Sequence, residues 1–312
     1  MGIKPRSYSI SLFSSQFPAH MHLNVMQRHD ITWDQLIWSA LSIGRPGRQQ
    51  LALQNKSDYY EALFRCSLLW MAIEQKGFSY YRTDAFKTLD PTEKGSVNYF
   101  IGMTVCKLFA ALILRTPHTL HIDAFPGMVR LAGRSRPDLF GQDVWNRNWR
   151  VFEAKGRGSL PSADDKLKAK QQAQRVVDIN GQLPDLNVAG ISYFRGDILT
   201  YTWSDPSPKG ELSLSVPEGA WRLCFSCFMP FLSEVLGVGT AENPRMVDVP
   251  AIDVKMGVHP KVGAELRRGD WRGAIDSAHE LQAEFKELGF MPDGVRISAG
   301  DRWKLPRPMS ES

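Results

Sequence analysis

Between residues 93 and 194 the chain switches between helical and strand periodicity in one order: helix, strand, strand, strand, helix, strand. Residues 93–114 carry Tyr99, Met103, Cys106, Leu108, Leu112 and Leu114 as an apolar helix face, and Pro117 stops the run. Residues 119–125 and 127–133 read as short strands, and 149–154 as a strand rich in β-favouring side chains. Residues 164–178 read as a helix with Ser162 as its cap. The mostly apolar run 188–194 fits a buried strand, and 198–203 adds one more. This order predicts an α/β fold: a mixed central β-sheet flanked by helices. Outside it, 58–76, 221–236 and 270–288 have helical patterns, whereas 1–57 is mixed. The expected organisation is a largely helical N-terminal extension over 1–90, a core over 91–205 and a helical C-terminal region over 206–312.

Within that core, Arg136-Pro137-Asp138-Leu139-Phe140 is followed by Val151-Phe152-Glu153-Ala154-Lys155, which ends an apolar strand. Alternation along a strand puts Glu153 and Lys155 on one face, and Asp138 can reach it from a neighbouring strand. Two carboxylates and a backbone carbonyl suit a hard divalent cation that keeps part of its water shell. Glu-x-Lys also occurs at 74–76 and 284–286, and Pro-Asp at 184–185 and 292–293. The other two Glu-x-Lys sequences lie in helical patterns, so only the pair at 138 and 153–155 joins both features.

A Pro-Asp, a spacer and a Glu-x-Lys at a strand end resemble the PD-(D/E)XK nuclease superfamily, over roughly 93–194. The resemblance implies a restriction-endonuclease-like core and Mg²⁺-dependent hydrolysis of phosphodiester bonds, with Mn²⁺ able to substitute. It assigns Asp138, Glu153 and the Ala154 carbonyl to the metal, and Lys155 to the attacking water. It implies nucleic acid as partner, DNA rather than RNA, and bacterial restriction or anti-phage defence as a context. The rival reading is an inactive protein of this fold that binds nucleic acid or docks in a larger complex.

Many members also carry a Glu on the first core helix. Here that helix offers Glu93 at its start, where acids suit the helix dipole, and Asn98 within. Some branches place a Gln on the helix after Glu-x-Lys. Gln171, Gln172 and Gln174 lie there, and Gln171 and Gln174, three apart, share a face and stand as the accessory candidates. From 129 to 157, seven Lys or Arg outnumber three Asp or Glu. Arg134, Arg136 and Arg157, with Lys166 and Lys170 on the next helix, are the candidate phosphate contacts. Trp145 and Trp149 are candidates for stacking on bases.

Composition narrows the alternatives. The net charge of +5 favours a polyanionic partner only weakly. The start of the chain lacks a signal peptide's apolar core. The longest apolar stretch, 103–114, is interrupted by Lys107 and is too short to span a membrane. Four cysteines, two in apolar helical patterns, fit a reducing cytoplasm. Cys224 and Cys227 have no second pair to complete a zinc site, and the histidines lack ligand spacing. No phosphate-binding glycine loop occurs. The flanking regions are expected to serve target recognition, homodimer contacts or a protein partner.

Overall fold

Residues 7–15 alternate serines with apolar side chains, and Tyr8, Ile10 and Leu12 turn inward from strand β1 (Ser7–Ser15). In the computed structural model, which describes residues 7–43, 56–125 and 135–304, β1 pairs antiparallel with β2 (Met26–Thr32). Thr32 then caps α1 (Trp33–Ser42) in a reciprocal capping box with Gln35. Helix α2 (Lys56–Ala72) ends before the expected position 76. Residues 73–76 instead form β3 (Ile73–Lys76), which turns through Gly77 (φ +59) into β4 (Ser79–Arg82). A short α3 (Asp84–Thr88) follows, capped by Thr83.

All four of these strands enter the central nine-stranded sheet. The region expected to be a largely helical extension is therefore part of that sheet. The period-2 alternation of β1 is the local reason. The turn at Gly77, whose positive φ suits glycine, returns the chain onto the sheet.

Helix α4 (Pro91–Leu112) starts with Pro91 in its first turn and a capping box between Asp90 and Glu93. It is long and apolar enough to cross a bilayer, but most of it is buried within the protein. Then come β5 (Thr119–His121), β6 (Leu139–Gln142), β7 (Trp149–Arg157), α5 (Ala163–Ala173), β8 (Val176–Ile179), β9 (Leu186–Arg195) and β10 (Ile198–Ser204). The expected strand at 127–133 lies outside the described residues. Helix α5 stops at Ala173, and β8 leaves it to pair in parallel with β11 (Leu212–Leu214).

The strand order of the main sheet is β2-β1-β4-β10-β9-β7-β6-β5, with β3 on β4 and a further β1–β10 pairing. β7 runs parallel to β9, and β5, β6 and β7 are antiparallel neighbours. The mixed sheet is as expected. Helix α4 packs on one face, in the main core with Phe152, Ala154 and Val188. Helix α5 packs on the other, where Ala169 and Ala173 meet Ala189 and Ile191.

The expected helix over 221–236 is broken into α6 (Arg222–Ser226) and α7 (Met229–Leu232), with Pro230 in the first turn of the second piece. After them, β12 (Val247–Val249), β13 (Val254–Val258), α8 (Pro260–Arg268), α9 (Trp271–Glu280), α10 (Gln282–Leu288), β14 (Val295–Ala299) and α11 (Asp301–Lys304) close the described chain. β12, β13 and β14 form a small antiparallel sheet, so this region is not purely helical. One hydrophobic core extends from Tyr8 to Trp303.

Candidate functional site

The antiparallel register of β6 and β7 sets Leu139 opposite Phe152. Just before β6, the Asp138 amide donates to the Phe152 carbonyl at 3.0 Å, and its carboxyl meets the Glu153 carboxyl. Lys155, two positions beyond Glu153 along β7, projects from the same face as Glu153, and its ammonium meets Glu153 Oε1 at 2.5 Å. The Ala154 amide donates to Asp138 Oδ2 at 2.8 Å. The N–H and C=O of one strand residue point the same way, so the Ala154 carbonyl also looks toward the Asp138 side, past the end of the β6 pairing.

Close approach of helix and strand fixes the floor. A Cβ on Gly156 would lie 1.6 Å from the Asn98 carbonyl oxygen of α4, and one on Gly102 would lie 2.6 Å from the Lys155 backbone. Glycines at both points let α4 lie directly on the Lys155–Gly156 backbone.

The electrostatics are those of too much negative charge in too little water. Burial, then Asp138, pushes the Glu153 carboxyl up to about 9, against the pull of Lys155. Burial also raises Asp138, offset by the Ala154 amide and Lys155. Glu153 Oε2 is buried with no donor to it; a proton shared with Asp138 would give the carboxyl pair a hydrogen bond. A buried carboxylate oxygen without a partner is costly and signals a missing ligand or a functional role. Oxygen is the only donor type here, and among the described residues no three His, Cys, Asp or Glu side chains close a metal cage.

Three residues that the motif does not name surround this core. Gln172 Oε1 accepts from the Lys155 ammonium, while its Nε2 donates to the Arg136 carbonyl at 3.4 Å. Tyr99 lies on α4, half exposed; burial and then the charges of Asp138, Glu153 and Asp123 hold its phenol well above the usual range. Asp123 pairs with Arg136.

The accessory candidates land elsewhere. Glu93 is exposed and its carboxylate is engaged with the Asp90 amide in the capping box, as its position at a helix start allows. The α5 glutamine on Lys155 is Gln172 rather than Gln171 or Gln174. The sign that finds it is Ala169 and Ala173, which mark the sheet-facing side of α5 and bracket position 172. Tyr99 has no such sign, because only the α4–β7 contact brings it to the carboxylates.

The basic excess of 129–157 is largely neutralised from elsewhere in the fold. Arg136 pairs with Asp123, Arg147 with Asp276 at 2.9 Å, and Arg157 with Asp165 at 2.8 Å. Arg150 is buried on Asp143 at 2.7 Å. Arg134 lies outside the described residues. Lys166 and Lys170 line a small cavity between α5 and the sheet. Trp149 is buried and stacks on Trp221, which removes it as a base-stacking candidate, whereas Trp145 is exposed under the Arg115 guanidinium. Cys224 and Cys227 are buried and joined by no disulfide. Comparison of the chain with protein-family models, curated proteins and solved structures finds no match.

Proposed function

We propose that this chain is a metal-dependent nuclease of the PD-(D/E)XK type, cutting the phosphodiester backbone of nucleic acid. DNA as the substrate, and restriction or anti-phage defence as the setting, follow from that resemblance. The observation that carries the reading is the Asp138 and Glu153 carboxyls brought together with Lys155 beside them, and a Glu153 oxygen buried with no donor to it.

The donor set fits Mg²⁺ or Mn²⁺: hard oxygens, a repelling carboxyl pair and a carbonyl on the same side. Asp138, Glu153 and the Ala154 carbonyl would hold the ion. When bound it supplies Lewis acidity toward the phosphate and lowers the pKa of water. Lys155, held by Glu153 and Gln172, places a positive charge where negative charge grows as the phosphate is attacked. Gln172 positions that ammonium and ties it to the Arg136 backbone.

The test is cleavage of plasmid, linear and single-stranded DNA with Mg²⁺ or Mn²⁺, beside an Asp138→Ala, Lys155→Ala double variant. Cutting by the wild type alone supports the reading; equal cutting by both refutes this site. One observation favours the scaffold alternative: the acid offered by α4, Glu93, is used as a helix cap and leaves two carboxylates. Calorimetry with Mn²⁺ separates the two readings. An active site binds the ion, releases protons on binding and binds more tightly as pH rises, because both carboxyls must ionise. A scaffold binds none.

A further inference from the structure

Helix α5 has three working sides. Ala169, Gln172 and Ala173 face the sheet and Lys155. Lys166 and Lys170 border the small cavity over β9 and β10. Leu167 and Gln171, four apart, form a third stripe, which Gln174 and Arg175 continue just past the helix end. Gln171 and Gln174 therefore do share a face, and it looks into a separate open cleft of about 800 Å³.

The cleft adjoins the carboxylate site. Its rim includes Ser135, next to Arg136, whose carbonyl accepts from Gln172. Its far wall is the segment before β11. The backbone amides of Lys209 and Gly210 donate to the Gln174 carbonyl at 3.0 Å, and Gln174 Nε2 donates to the Ser207 carbonyl at 2.7 Å. That wall is thus tied to the end of α5. Its volume lies in the range of ordinary ligand sites. Its lining is polar, with Arg175 and Lys209 against Glu211.

This cleft carries unspent chemistry. The described Lys and Arg of 129–157 are all ion-paired. Lys209 is exposed and makes no ion pair among the described residues, and the Gln171 amide has no hydrogen bond there. A free ammonium suits a phosphate, and a free carboxamide can read a base edge.

We infer that this cleft seats the nucleic-acid strand next to the phosphate being cut, with Lys209 on a backbone phosphate and Gln171 on a base edge. The inference rests on the nuclease reading and adds the path of the substrate. It places the strand along α5 from Lys155 toward β11.

The test uses the full chain with Asp138→Ala in EDTA, so that binding is read without cutting. Labelled single-stranded and duplex oligonucleotides are titrated between about 50 and 200 mM salt. Lys209→Glu should weaken binding about tenfold and make the slope of log affinity against log salt shallower by about one. Gln171→Ala should weaken it a few-fold and leave the slope unchanged. Lys255→Glu, an exposed reversal on β13, should change neither. In the cutting wild type, Lys209→Glu should raise KM and hold kcat. Wild-type binding by both cleft variants, in a protein that cuts, overturns the cleft and leaves the nuclease reading standing. An equal loss from Lys255→Glu overturns it too, since net charge alone would then explain the effect. A wild type that neither binds nor cuts any nucleic acid ends both.

Discussion

Two buried charge clusters in this molecule meet the same physical problem and answer it differently. One is the Asp138–Glu153–Lys155 site. The other lies where α1, α4 and the loop before β14 meet. There Lys107 is fully buried, donates to the Pro117 carbonyl and sits 4.9 Å from the ring centre of Trp38. Trp38 Nε1 donates to Asp293 Oδ2 at 2.8 Å, and the Val295 amide donates to Asp293 Oδ1 at 3.0 Å. Burial lowers Lys107 and raises Asp293, while their opposite charges support each other. This cluster balances one cation with one anion and supplies each with partners. It joins three distant parts of the chain. The first cluster sets two acids against one cation, so its two carboxyls can bond each other only by sharing a proton. Buried charge that is satisfied holds a fold together; buried charge left wanting a partner marks where one is expected to bind.

The largest break in that comparison is Asp293→Ala. Leaving Trp38 Nε1 and the Val295 amide without their acceptor, and Lys107 without its opposing charge, should cost about 2–5 kcal/mol in urea unfolding, whereas Asp138→Ala, which removes one of two repelling acids, should leave the metal-free fold as stable or more so. If the two variants lose equal stability, the contrast fails.

Next is Gly156→Ala. A Cβ there would press on the Asn98 carbonyl, and about 1–3 kcal/mol of stability or more should go with it. Gly158→Ala, whose Cβ would lie 3.4 Å from Asn98 Nδ2, is the milder control. Thermal melts of the pair measure the close contact that sets Lys155 on α4.

The pH dependence sharpens the comparison further. Glu153 is raised from an ordinary 4.5 to about 9, so the native state holds its proton more tightly than the unfolded chain. In EDTA its contribution is complete below about 4.5 and is lost as pH rises toward about 9, at most about 1.4 kcal/mol per pH unit. Glu153→Gln should flatten that part of the curve, and saturating Mg²⁺ should offset it. An unchanged slope in Glu153→Gln would place the titration elsewhere.

The smallest effect is Glu93→Ala. Loss of the capping box should cost about 0.5–1 kcal/mol and leave cleavage unaltered. A large fall in kcat at full folding would return Glu93 to the site.

Much of this was legible in the chain. Glu153 and Lys155 share one face because strand alternation is a local property, and Asp138 comes near them because β6 and β7 are joined by a short turn. The cap at Ser162 is equally local. The N-terminal strands were less legible, since β1 finds its parallel partner β10 nearly two hundred residues away and its serines give a weak pattern. The helix ends at Ala72 and Ala173 also depended on pairing, of β3 with β4 and β8 with β11.

By itself, then, the sequence determined which residues can act together within one hairpin, because register and alternation bind neighbours only a few positions apart. Tertiary structure alone decided which side of α5 meets Lys155, that Tyr99 comes within electrostatic reach of the carboxylates, and that distant acids neutralise the basic segment. Those outcomes depend on how helices are rotated and docked against the sheet, and that rotation is set by packing across the whole core.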